Sequence, residues 1–292
     1  MDTLIIGHQG QLGHALTQRL PEATGVDLEE CDVTDPAAVA ALMKSENPNL
    51  VFNTTAYNAV DAAETDYENA LRVNAIAPGR MAAACRERDA EFVHFSTDYV
   101  FGNGYAEPID EGATPLPLSA YGRSKLLGER MALQNNPATY IVRTTGLYSH
   151  RRHNFVRTMI RLGLERTELK VVNDQFVSPT WVDPLAASVM EVVQGGVYGV
   201  FHITSQAGCT WYEFAGRLFE MLDINVRLHA VDQDEWGAPA RRPLYSVLDD
   251  ALIRALRYER LGRWDDMLEA FLARHGAELV EELSQQKGVQ GA

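Results

Sequence analysis

Three residues of the chain have types and spacing that could do chemistry together. Thr97 closes the apolar run EFVHFST, and Tyr121 and Lys125 follow in SAYGRSKLLGE, residues 119–129. Four residues on a helix make about one turn, so Tyr121 and Lys125 share a face. A phenol ordinarily ionises near about pH 10, and a close ammonium favours the phenolate and pulls that value down. A phenol so tuned can pass a proton to a carbonyl oxygen as hydride reaches the carbon. A strand-end hydroxyl can hydrogen-bond the same oxygen and hold it in place. The chemistry is carbonyl reduction. The same spacing also occurs on ordinary surface helices, so the elements that position these residues decide between the two readings.

A hydride donor needs a site, and GHQGQLG supplies one, with glycines at 7, 10 and 13. The run follows the apolar TLIIG and opens the helical pattern GHALTQRL. Glycine allows a tight turn and a close backbone approach to a pyrophosphate resting on the helix N-terminus. Gly7, Gly10 and Gly13 are therefore candidate cofactor contacts. Asp27 ends the next apolar stretch, ATGVD, where a carboxylate accepts from ribose hydroxyls and repels a 2′-phosphate. No Arg or Lys follows nearby, so NADH is favoured, with NADPH as the alternative. Asp32, in CDVTD, suits either the adenine edge or an ordinary acidic loop.

The elements around these motifs alternate. Strands are expected over 3–7, 23–27, 50–56, 91–97 and 139–145, with helices between them. One of these, from Tyr67 to Arg88, should be kinked or divided by Pro78. Apolar strands alternating with helices predict an α/β fold, a Rossmann-type doubly wound parallel sheet. After Tyr148 the rhythm loosens. Residues 1–148 read as the nucleotide-binding domain, and 149–292 as mainly a smaller substrate-binding lobe interleaved with it. In that lobe LKVVN and VYGVFHIT read as strands. Thr210 and Glu213 form a capping box, a last helix spans 264–274, and the residues after Ser284 lack an apolar pattern.

The 292 residues carry 46% hydrophobic and 23% charged side chains, an ordinary globular balance. A net charge of −14 argues against a general nucleic-acid surface. No apolar run approaches a membrane span, and no signal peptide is read at Met1. Three scattered cysteines suit a reduced, cytoplasmic setting. His150 and His153 lack companions spaced for a metal. The pairs Arg151-Arg152 and Arg241-Arg242 suit loop charge or an anionic substrate.

Together, the glycine spacing, Thr97 and Tyr121-x-x-x-Lys125 resemble the extended short-chain dehydrogenases/reductases. STDYVF, YGRSK, NFVRTM, NDQF.SPT, RP..S.L and AVDAAE resemble, more closely, the dTDP-4-dehydrorhamnose reductase family over about residues 3–275. The resemblance implies reduction of a dTDP-linked 4-keto-6-deoxy sugar to dTDP-L-rhamnose with NAD(P)H. It implies Thr97, Tyr121 and Lys125 as catalytic residues, with Tyr121 and Lys125 also touching cofactor. It further implies Gly10, Gln11 and Leu12 at the pyrophosphate, Asp32 and Val33 at the adenine, and Ala56 and Tyr57 beside the cofactor. Thr97, Asp98, Asn154 and Arg242 are the expected substrate contacts, Arg242 at the diphosphate.

Two positions depart from that family. A Thr-Ser-Trp run against the sugar is here Thr144-Thr145-Gly146, which puts the sugar's identity in doubt. The acidic residue linked to a metal-bridged dimer is here Ala15, so no metal is expected, while a homodimer remains open. A sugar-nucleotide dehydratase would need a second carboxylate after Thr97-Asp98. A 4-epimerase, using the same triad, stays as an alternative. So does a non-catalytic regulator resembling the methionine adenosyltransferase beta subunit.

Overall fold

The computed structural model describes residues 2–289. In chain order the first half runs β1 (Thr3–Ile6), α1 (Gln11–Arg19), β2 (Thr24–Val26), α2 (Pro36–Glu46), β3 (Leu50–Asn53), α3 (Tyr67–Leu71), α4 (Ala77–Arg86), β4 (Glu91–Thr97), α5 (Ala120–Asn135), β5 (Thr139–Thr144) and β6 (Leu147–Tyr148). The second half runs α6 (Phe155–Glu165), β7 (Glu168–Val172), β8 (Phe176–Val177), β9 (Thr180–Trp181), α7 (Val182–Gly195), β10 (Gly199–His202), β11 (Cys209–Thr210), α8 (Trp211–Met221), β12 (Arg227–Val231), α9 (Gln233–Trp236), α10 (Ala251–Leu256) and α11 (Trp264–Val289).

The main sheet is six-stranded in the order β10-β5-β4-β3-β1-β2, every pair parallel. Its strands are short and apolar because both faces are covered. Ile5, Phe52, Val93 and Val142 point to one face, where α7, α8 and α11 contribute Leu185, Phe214 and Phe271. Leu4, Val51, Phe92 and Ile141 point to the other, against Met43 of α2 and Met81 of α4. The late strand β10 pairs with β5, so the second half completes the first half's sheet. A second parallel pair, β7 with β12, belongs to the C-terminal half. The sequence gives no clear signal for β12, because only Val231 of it is buried.

Two helices differ from expectation. The stretch from Tyr67 to Arg88 is divided, but just ahead of Pro78, by a π-turn over Arg72–Ile76. Proline has no N–H for the carbonyl four residues back, which is Asn74. The last helix continues past 274 to Val289. Leu279 and Leu283, four apart, are buried in the main core and extend its apolar stripe. The capping box at Thr210 and Glu213 is present, with hydrogen bonds of 3.1 and 2.8 Å.

Candidate active site

The carboxyl edge of the sheet gathers the residues singled out above. Gly7 turns the chain in the left-handed region, φ 86°, where a Cβ would lie 2.7 Å from Thr54 Oγ1. A Cβ on Gly13 would lie 2.2 Å from the Gly7 carbonyl oxygen, so only glycine lets α1 start this close to β1. Gly10 caps α1 with no side-chain hydrogen bond. The first N–H groups of α1 thus carry no side-chain cap, and with the glycine cradle they fit a pyrophosphate. Leu12 is buried behind them. Gln11 turns its side chain away and accepts from Ser149 Oγ (2.8 Å) and Asn154 Nδ2 (3.0 Å).

Asp27 ends β2 as expected, and its carboxylate also holds the glycine loop. Oδ2 accepts from the Gln9 N–H (3.1 Å) and Oδ1 from the Leu28 N–H (3.0 Å). Asp32 folds back on Thr34, accepting from its N–H and hydroxyl at 2.8 Å each, and these bonds hold its carboxyl below the usual range. Val33 is buried in the core beside α2. After β3, Ala56 and Tyr57 are half-buried. Asn74 clamps the Tyr57 backbone on both sides, accepting from its N–H (2.8 Å) and donating to its carbonyl (3.1 Å). The same Asn74 amide donates to Ser124 Oγ (3.0 Å) on α5. Asn74 is a positioning residue that sequence reasoning missed, since its partners lie 17 and 50 positions away.

α5 carries Tyr121 and Lys125 on a face held very close to its neighbours. Ser119 caps it, accepting from the Gly122 N–H (3.1 Å). A Cβ on Gly122 would lie 2.2 Å from the Tyr99 carbonyl oxygen, and one on Gly128 only 2.0 Å from that of Asn74. The glycines beside the pair therefore admit backbone where side chains would stand. Both Tyr121 (8% exposed) and Lys125 (2%) are buried, unlike surface-helix residues.

The phenol lies against Thr97, whose hydrogen bond is among the influences on it. It also stands at 3.5 Å from Asn58 Oδ1, and its ring meets Tyr99 edge-on at 5.8 Å. Thr97 donates to Asp98 Oδ1 (2.9 Å), and Ser246, far along the chain, donates to Asp98 Oδ2 (2.6 Å). Burial pushes the Asp98 carboxyl up to about 6, against hydrogen bonds from Ser246, Thr145 and Thr97 that pull it down.

The expected tuning of the phenol by Lys125 needs correction. Burial, and then the Asp98 charge, push Tyr121 above its ordinary value, and Lys125 is not among the causes. The ammonium instead donates to the Phe95 carbonyl oxygen at 2.6 Å. Burial lowers Lys125 to about 8, while Glu129 raises it. Glu129 is a further unforeseen residue. It accepts from Nε and Nη2 of Arg143 (2.9 and 2.7 Å) and from the Ser96 hydroxyl (2.5 Å), tying α5 to β4 and β5.

The C-terminal half reaches the same edge. Arg242 pairs with Asp61, 3.1 and 2.9 Å to its two oxygens, and hydrogen-bonds Tyr99, the ring against Tyr121. Asn154 sits instead at the cofactor loop. It caps α6 by accepting from the Arg157 N–H, and its amide donates to Gln11 and to the Ser149 carbonyl (2.9 Å). Its amide is thus engaged at both ends by neighbouring residues. Gly146 holds φ 57°, and a Cβ there would lie 3.2 Å from Trp211 Cη2, so another ring flanks the position where the resemblance expects tryptophan. Among the described residues no group of three metal-ligating side chains gathers.

A doubly wound parallel sheet, a glycine cradle and a Thr-Tyr-Lys set define the extended short-chain dehydrogenase/reductase fold. The family model described as RmlD substrate binding domain matches residues 1–276, and the chain belongs to that family. The chain is 38% identical over 279 residues to a probable dTDP-4,6-dihydroxy-2-methyloxan-3-one 4-ketoreductase of Streptomyces antibioticus, covering 93% of this chain and 95% of that one. A dTDP-4-dehydrorhamnose reductase of Clostridium acetobutylicum superposes with a TM-score of 0.91 at 39% identity, covering 94% and 99% of the two chains. A reductase of the same name from Bacillus anthracis, solved with NADP, also gives 0.91, at 35% identity and the same coverage.

Proposed function

We propose that the protein is a nicotinamide-dependent ketoreductase acting on the 4-keto group of a dTDP-linked 4-keto-6-deoxy sugar. dTDP-4-dehydro-L-rhamnose, giving dTDP-L-rhamnose, is the first substrate to test. The observation that carries this reading is the convergence of Thr97, Tyr121 and Lys125 at the strand-end cleft, with Arg242 of the C-terminal half at its rim. The names of its relatives, dTDP-sugar ketoreductases among them, support the same substrate class.

When bound, the reduced nicotinamide supplies the hydride that adds to the sugar's C4. Tyr121 gives its proton to the oxygen of that carbonyl, so the C=O becomes CH–OH. Its raised pKa keeps the phenol protonated, as a donor must be. Thr97 orients the oxygen, and Lys125, an ammonium below about pH 8, is the expected contact to the cofactor. Arg242 takes the substrate diphosphate bidentately in place of Asp61. Residues 1–148 chiefly hold the cofactor and the later segments the sugar.

NADH is the expected better cofactor because of Asp27, although the NADP complex of the Bacillus anthracis relative supports NADPH as well. A homodimer and a cytoplasmic setting complete the reading. The setting is supported by three free, buried cysteines, and no helix among the described residues is long and apolar enough to cross a membrane. The test is consumption of each reduced cofactor with a panel of dTDP-4-keto sugars. Turnover with net cofactor oxidation supports the reading. Sugar epimerisation without it supports an epimerase, and no turnover of any sugar a regulator.

A further inference from the structure

The arginines after β6 do not enter the catalytic scheme, and their placement is specific. The Arg152 guanidinium donates from Nε to the Gln9 carbonyl (3.0 Å) and from Nη2 to Gln9 Oε1 (3.3 Å). Gln9 is the residue whose N–H is held by Asp27. Arg152 is thus one residue removed from the carboxylate at the end of β2. Its backbone takes a left-handed φ of 59°, unusual for a non-glycine residue. Asn154 Nδ2 reaches the carbonyls of Arg151 and Arg152 (both 3.3 Å) while bonding Gln11, so the segment is clamped to the glycine loop in this form.

Arg151, Arg152 and Arg157 line one cavity of about 460 Å³ with His150, Leu279, Glu278 and Glu282. Arg157 is neutralised there by Glu282, at 2.6 and 3.0 Å. Arg151 and Arg152 make no ion pair among the described residues, although the chain carries a net charge of −14. The Arg152 guanidinium, held on the glycine loop and in no ion pair among the described residues, points to an anion. The pyrophosphate is not the natural choice, because it belongs to the open first turn of α1, beyond Gly10. Gln9 and Asp27 mark the ribose side instead, and an arginine near that carboxylate is the usual means of accommodating a 2′-phosphate.

We propose that Arg152 is a specificity-determining residue for the cofactor, binding the 2′-phosphate of NADPH and offsetting its repulsion by Asp27. The inference rests on the reading of residues 7–13 as a nicotinamide-cofactor site. Arg152 is exposed, so its guanidinium can leave Gln9 Oε1 for a phosphate without unpacking the core. The two residues act in opposition: Asp27 favours the free ribose hydroxyls of NADH, and Arg152 admits the phosphate ester.

Fluorescence titration of NADH and NADPH, without sugar, tests this on the wild type, Arg152→Gln and Asp27→Asn. Arg152→Gln should weaken NADPH by at least about tenfold, the scale of one charged hydrogen-bonding group, and leave NADH nearly unchanged. Asp27→Asn should shift the preference toward NADPH. Wild-type NADPH affinity should fall more steeply with salt than NADH affinity, a contrast that needs no variant. Equal loss of both cofactors in Arg152→Gln would make Arg152 a pyrophosphate contact and overturn the proposal. So would no loss of either. Wild-type protein that binds neither cofactor would instead overturn the reading of the glycine loop itself.

Discussion

Tyr121 and Lys125 stand one helical turn apart, but in this protein they serve different neighbours. The phenol belongs to a polar group with Thr97, Asp98 and Ser246, and the ammonium to the carbonyl of Phe95. Tyr121→Phe should lower turnover by roughly 10²–10⁴-fold, typical of a lost general acid, with cofactor binding nearly intact. Lys125→Met should lower turnover and cofactor affinity together, and the double variant should cost less than the two losses combined. Single-turnover rates and cofactor titrations check both. The pair was legible because its spacing is local. The Asp98 arrangement was not, since Ser246 lies 148 positions away.

Asp98 also has a thermodynamic signature. Its folded-state pKa of about 6 lies above the roughly 3.9 of an exposed aspartate. The folded protein therefore binds more protons than the unfolded chain between these values. Its stabilising effect is complete below about pH 4 and lost as pH rises through about 6, a change on the order of 3 kcal/mol. Asp98→Asn should flatten the wild-type fall in stability over that window. Urea unfolding at several pH values would show it, and parallel curves for the two proteins would contradict it.

At the scale of elements, the unusual feature is how closely α5 lies on the turn before α4. The Gly128 position meets the Asn74 carbonyl directly, at the residue whose helical partner Pro78 cannot provide. The sequence announces a break near Pro78, but periodicity does not say that it takes the form of a π-turn, or that a second helix will rest on it. Gly128→Ala should destabilise the protein by at least about 2 kcal/mol, because backbone, not a flexible side chain, must move. Thermal unfolding measures this, and an unchanged midpoint would mean the helices can separate at little cost. The long last helix escaped recognition for another reason. Among the described residues its stripe beyond residue 274 consists of Leu279 and Leu283 with the half-buried Val280, too thin to read until the core it covers is known.

For the molecule as a whole, the strand–helix alternation predicted the doubly wound sheet, because each strand is short, apolar and followed by a helix. Sequence reading could not reveal which distant segments close over the edge. Arg242 and Asp61 are 181 positions apart and form one of the ties between the halves, with Asp61 43% and Arg242 19% exposed. Arg242→Ala should raise the KM for the nucleotide sugar by roughly tenfold or more with a smaller effect on kcat. Asp61→Asn, which releases the same guanidinium, should lower it. Steady-state kinetics on both variants checks the opposition, and KM values moving in the same direction would contradict it.

The sixth strand of the main sheet carries a consequence for how the chain acquires its shape. β10 begins at Gly199 and covers the flank of β5, where His202 meets the buried Arg143 at 3.3 Å. A ribosome must therefore deliver about two thirds of the polypeptide before the nucleotide-binding sheet can close. Until then β5 presents unpaired N–H and C=O groups along an apolar edge, a template for pairing with another nascent chain. A fragment ending at residue 148 should accordingly be collected as inclusion bodies, and one extended through residue 205 should gain solubility. The feature that closes the fold is thus also the stage at which its biogenesis is most exposed to error.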